Sequence, residues 1–223
     1  MNDKKLTELL ENNRFDDLEV YSLEILERGD FDLQDLLECA KALGRRHEKQ
    51  RAGSLMNLLA ENLRGHERWT DYLRVLKEIA RHTLDPKKLD DIKDRFRETL
   101  SHVYPQRPSF ESIVRFYSVN EILNPADLAP VVEKAEEALR YDVGQAFYQQ
   151  GYGTGQVTEI NLKLRVVRID FEKKADVTVQ FGDSEVLFLD EGHILNEKVR
   201  HLPKFQQDAE ADPPGVLGRL LQT

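Results

Sequence analysis

The feature that most constrains this chain is a single change of hydrophobic period near residue 140. Up to Leu139 apolar residues recur at the spacing that lines one face of a helix. From Tyr141 they alternate, the spacing that lines one face of a strand. A chain that switches once must place its helices first and its sheet second, so the expected class is α+β. The expected domains are an irregular all-α helical array over residues 1–139, a small antiparallel β-barrel over 141–202, and a polar tail with a short helix over 203–223.

The helical pattern opens with Leu6, Leu9 and Leu10 and continues through Leu18, Tyr21, Ile25 and Leu26. Leu33, Leu36, Leu37, Ala40 and Leu43 form the next stripe, with Asp32 as its expected N-cap and Gly44 as its expected stop. Ser54 to Leu63 predicts a helix closing at Gly65. Trp69, Tyr72, Leu73, Leu76, Ile79 and Ala80 predict another. Asp85-Pro86 restarts a helix carrying Leu89, Ile92, Phe96 and Leu100, since Asp can cap and Pro suits the first helical position. Two shorter helices are expected near Phe110 to Tyr117 and Leu128 to Leu139. Short connections favour antiparallel neighbours, and no spaced Trp, Gly, Tyr and Pro set marks a named repeat. The expectation is an irregular stack of helical hairpins.

Past Tyr141 the runs QVTEI, LRVVRIDF, VTVQF and EVLFL read as strands. Val167, Ile169 and Phe171 fall on one face and Val166, Arg168 and Asp170 on the other; Val177, Val179 and Phe181 repeat the pattern against Thr178 and Gln180. So short a stretch leaves too little chain for a sandwich, which favours a small, highly curved barrel.

Composition narrows the function. Apolar residues make up 40% and charged residues 33%, a globular balance. No run approaches the roughly 20 apolar residues of a membrane span. MNDKKLTELLENN has no apolar core followed by small residues, so the expected compartment is the cytoplasm. A lone cysteine, Cys39, excludes an internal disulfide framework and a multi-thiolate zinc site. The net charge of -9 disfavours coating nucleic acid, which needs clustered Lys and Arg.

Candidate chemistry is sparse. Gly151-Tyr152-Gly153-Thr154-Gly155 could cradle a phosphate only if a strand preceded it and a helix opened after it. QVTEI reads as a strand, so these glycines are expected to form a tight turn into that strand. The histidines, His47, His66, His82, His102, His193 and His201, include no pair at the spacing that sets two ligands on one helix face. Cys39 lies in a leucine-rich helix, where a small buried thiol is the ordinary role. Asp16-Asp17 and Asp90-Asp91 point in different directions on a helix and do not converge. No catalytic residue, metal ligand or cofactor is expected. The best basic cluster beyond residue 140 is Arg165, Arg168, Lys173 and Lys174, but residues 141–202 still carry seven Lys or Arg against ten Asp or Glu.

The stretch GYGTGQVTEINLKLRVVRIDFEKKADVTVQF resembles a Tudor/KOW-like barrel of the kind attached to bacterial transcription proteins. Ile169-Asp170-Phe171-Glu172, with Leu189-Asp190-Glu191-Gly192-His193-Ile194-Leu195 after it, resembles the linker barrel of long Gre-type transcription elongation factors. There a helical region precedes the barrel. The segment Asp208 to Leu221 resembles the stretch on the C-terminal side of that barrel. Gre-type factors act through a helical hairpin whose acidic tip holds magnesium in the polymerase active site. These residues contain no such hairpin, so transcript cleavage is not carried over.

Similar barrels in CarD-like and repair-coupling families bind RNA polymerase by protein–protein contact. The resemblance therefore implies a non-catalytic, transcription-associated protein that binds RNA polymerase through its barrel. An edge strand could add to a partner's sheet, with Arg165, Val167, Arg168, Phe171, Lys173 and Lys174 as the expected contacts. The alternative is an adaptor or scaffold that binds another protein through its helical domain. No sequence-specific nucleic-acid binding and no membrane association are expected.

Overall fold

The computed structural model describes residues 2–82, 86–117, 119, 122–190 and 192–221. Eight helices precede a curled antiparallel sheet, an α+β arrangement. The chain divides into two compact units. One holds Met1–Val103 with Val119–Val132, the other Tyr104–Ser118 with Glu133–Thr223. Among the described residues no helix is long and apolar enough to cross a membrane.

The first unit contains α1 (Lys4–Glu11), α2 (Phe15–Arg28), α3 (Leu33–Arg45), α4 (Lys49–Gly65), α5 (Trp69–His82) and α6 (Leu89–Val103), with a 3-10 turn at Pro86–Lys88. Asp32 caps α3 as expected, its carboxylate accepting from Gln34 N at 2.7 Å and Asp35 N at 3.1 Å. Gly44 does not stop that helix, which runs on to Arg45. The left-handed residue is His47, at φ 68°, and the turn is locked by Glu48 N–H donating to Leu43 O at 3.0 Å. The same closure recurs where Arg14 N donates to Leu9 O past Asn13, and where Arg68 N donates to Leu63 O past Glu67. The expected Asp85 cap lies outside the described residues.

These repeated turns fold the helices into hairpins whose equivalent members run the same way. Asn2 N and Asp3 N donate to the buried Asp35 carboxylate, and Arg46 reaches Leu10 O and Asn13, so α1 and α3 are co-directional. Arg51 to Asp16 and Asn62 to Leu26 O align α4 with α2. Arg95 to Glu61 and Arg64 to Glu98 align α6 with α4. These links join residues 32 to 36 positions apart, a regular offset that stacks hairpin on hairpin. Leu36, Leu59, Leu63, Tyr72, Leu76, Phe96 and Leu100 lie at the centre, each fully buried. Removing each such side chain from water contributes about 1.5–3 kcal/mol.

The second unit takes in α7 (Phe110–Phe116), the end of α8 (Pro125–Arg140), and strands β1 (Ala146–Gln149), β2 (Gly153–Asn161), β3 (Val166–Phe171), β4 (Val177–Gln180) and β5 (Val186–Leu189). The strand order is β4-β3-β2-β1-β5, with every pairing antiparallel. A register shift between Val157 and Glu159 marks a bulge in β2, which bends the strand and curls the sheet into a half-barrel. Phe147, Val157, Val167, Ile169, Phe171, Val179 and Leu189 fill its inner face.

Tyr141 stacks between Phe147 and Phe181, at centroid distances of 4.9 and 4.8 Å, and accepts from Gly182 N at 2.8 Å. The fully buried Asp142 carboxylate accepts from Ser109 N at 2.9 Å, tying the start of α7 to the sheet. α9 (Ile194–Arg200) falls within the span expected for the barrel, and the tail expected to hold one short helix carries two, α10 (Leu202–Ala211) and α11 (Pro213–Leu221). Asn196 of α9 donates to Leu189 O and Asp190 O, which fixes that helix to the end of β5.

Candidate functional site

The expected binding residues sit along β3 and the turn after it, and the structure does not gather them into one patch. Arg165, at the β2–β3 hairpin, is left-handed at φ 55° and its guanidinium donates to Glu137 at 2.5 Å. Arg168 lies mid-strand on the outer face, 3.5 Å from Glu159 and 3.6 Å from Asp176. Lys173 and Lys174 lie in the turn at the far end of β3. Lys174 stands over the Tyr152 ring at 5.0 Å and donates to its hydroxyl at 3.3 Å. The two arginine charges are therefore neutralised locally.

Two of the expected contacts require correction. Val167 and Phe171 are 1% and 5% exposed, so they belong to the core of the half-barrel. Their side chains point inward because strand residues alternate faces and this face is the apolar one. In addition β3 pairs with β2 on one side and β4 on the other, so no partner strand can add to it. Among the described residues the strands lacking a second neighbour are β4 and β5. On β5, Leu187 is 57% exposed, an apolar side chain where edge strands usually carry charge. Alternation in EVLFL marks this strand in the sequence, but its edge position depends on β5 returning beside β1, which no local pattern signals.

The glycine motif forms the β1–β2 turn, with Tyr152 N donating to Gln149 O and a strand, not a helix, coming next. Gly153, at φ 87°, faces the Glu172 carboxylate. That carboxylate is held by Lys198 at 2.6 Å and by the Thr154 hydroxyl. Desolvation raises its pKa, but the hydrogen bonds from Lys198 and from the Thr154 side chain and backbone, together with the Lys198 charge, outweigh that and hold it below the ordinary 4.5. This is a structural clasp between β3 and α9.

Elsewhere the chemistry is quiet. Cys39 is fully buried, and burial followed by the nearby Asp3 charge pushes its thiol up to about 11. His102 stacks on Trp69 at 3.9 Å, His66 Nδ1 lies 2.8 Å from Asn62 O, and His193 Nδ1 caps α9 by accepting from Leu195 N. Among the described residues no group of His, Cys, Asp or Glu converges to hold a metal ion. Asp16 and Asp17 diverge, one toward Arg51 and the other toward Arg14.

A second surface lies outside the sequence-based expectations. Leu18, Glu19, Ser22 and Leu23 of α2, Leu43 of α3, and Ser54, Leu55 and Leu58 of α4 line a cleft of about 200 Å³. Leu23 and Leu58 are 40% and 44% exposed on its rims. A sequence signal for it exists: Val20 and Leu23 lie off the stripe of Leu18, Ile25 and Leu26, so α2 carries more apolar side chains than its core face accounts for. Comparison with protein-family models, with curated proteins and with solved structures finds no match.

Proposed function

We propose that this chain is a non-catalytic factor of the bacterial transcription machinery whose half-barrel docks on RNA polymerase. The observation that carries this reading is the open sheet, with an exposed Leu187 on a strand that has one neighbouring strand among the described residues. Such an edge can extend a partner's sheet, main-chain hydrogen bonds supplying affinity and the side chains specificity. The likeness of residues 141–221 to the linker barrel of long Gre-type factors and to CarD-like barrels supplies the partner. Docking through β5 replaces the expected docking through β3.

The test uses the full chain and purified core RNA polymerase immobilised on a biosensor. Wild type should bind saturably, Leu187→Lys at least tenfold more weakly, and the control Leu123→Lys, at a position 87% exposed in the helical unit, unchanged. Absence of binding, or equal binding by Leu187→Lys, refutes the proposal. The second reading, an adaptor working through its helices, is favoured by the apolar cleft between α2 and α4.

A further inference from the structure

We infer that the cleft between α2 and α4 is a docking site for a basic amphipathic helix of a partner protein. The inference rests on the adaptor reading and is independent of polymerase docking. Its floor is apolar, made by Leu18, Leu43 and Leu55, and its open rims are Leu23 and Leu58. At one end Arg51 reaches across from α4 to Asp16 and Glu19; at the other the Asn62 amide donates to Leu26 O at 3.0 Å. Between those ends only a short stretch of each helix lines the cleft, roughly 6–8 Å at 1.5 Å per residue. That matches two anchor side chains spaced i, i+3 or i, i+4 on an entering helix, the recurring way an amphipathic helix fills a groove.

Two further observations point to an occupant and to its charge. The Ser22 hydroxyl lines the cleft, is 2% exposed, and has no hydrogen-bond partner. A serine within a helix commonly bonds the preceding turn's carbonyl. Here Ser22 is left to a polar group arriving from outside. The rim is acidic as well: Glu19 lines the cleft, and Arg51 is shared among Asp16, Glu19 and Glu48, leaving excess negative charge. Complementarity therefore selects Lys or Arg flanking the apolar anchors.

The probe is a synthetic, fluorescently labelled helix of about four turns, with one leucine stripe and lysine at its flanks, beside the same helix with glutamate for lysine. Anisotropy at physiological salt should show the lysine helix binding the full chain. Leu23→Asn with Leu58→Asn should weaken it at least tenfold, and Asp16→Asn with Glu19→Gln about fivefold. Both pairs lie at exposed positions, and Trp69 fluorescence with circular dichroism checks that each variant is folded. The double asparagine variant should bind RNA polymerase as wild type does, which separates this inference from the proposed function. No binding of the lysine helix, equal binding of the glutamate helix, or binding unchanged by the asparagine pair overturns it. So does self-association of the chain that vanishes in the asparagine variant, since the occupant is then a second copy.

Discussion

Gly155→Ala isolates the packing constraint behind the glycine-rich motif. Gly155 pairs with Phe171 across β2 and β3. An added Cβ would lie 2.6 Å from Phe171 Cδ1, 2.8 Å from Ile169 Cγ2 and 2.8 Å from the Asp170 carbonyl oxygen. The ring and the Ile169 methyl belong to fully packed residues, and the carbonyl is backbone, so none can swing aside; the two strands must separate. Overpacking of this kind costs about 1–3 kcal/mol, and the backbone clash places Gly155→Ala near the upper end.

Gly151 offers the contrast, since it has φ 92° but nothing within 4 Å of an added methyl, leaving backbone strain alone at about 1–2 kcal/mol. Hydrogen exchange read by mass spectrometry over residues 153–171 resolves the two. At 1.4 kcal/mol per tenfold, Gly155→Ala should speed exchange roughly a hundredfold and Gly151→Ala roughly tenfold. Trp69, the sole tryptophan, lies in the helical unit and should report an unchanged unfolding transition. Wild-type exchange in Gly155→Ala, or the reverse order of the two variants, refutes the steric argument.

Two more outcomes concern the titrating groups. Because Glu172 is held below 4.5, its contribution to stability is fully present above that value and is lost as pH falls through its lowered folded-state pKa. Exchange over β2 and β3 should therefore accelerate as pH drops below about 4.5, after correction for intrinsic rates, and Glu172→Gln should flatten that dependence. With its thiol pushed up to about 11, Cys39 is on the order of a thousandth thiolate at pH 8 and shielded besides. Alkylation by iodoacetamide, with intact mass as the readout, should be negligible in native protein and complete in urea; rapid native labelling would contradict its burial.

Particular residues show how far periodicity reaches. Asp32 as a cap and the inward faces of β3 and β4 derive from local chemistry, because cap geometry and strand alternation involve neighbours within a few positions. Gly44 misleads for the same local reason: glycine is the usual left-handed residue at a helix end, yet here the backbone closure from Glu48 to Leu43 holds His47 in that conformation. The tail misleads through its polarity. In α10 no described residue is buried, so it carries no strong apolar stripe to betray a helix.

The candidate site was less legible than the fold. Arg165, Arg168, Lys173 and Lys174 look like a basic patch when written in a line. Glu137, Glu159 and Asp176 meet the two arginines only after the chain has folded. That β3 is an interior strand and β5 an edge depends on pairings between distant segments, which alternation alone cannot order.

What this sequence determined unaided is the succession of elements and the faces they bury, since a period of 3.6 or 2 is written in consecutive residues. What only the tertiary structure decided is which surfaces remain for a partner. Leu23 and Leu58 become the rims of one cleft, and Leu187 comes to stand on an edge strand, through the packing of helix on helix and strand on strand. Exposure is a property of what does not cover a residue, and that is settled by segments far away in the chain.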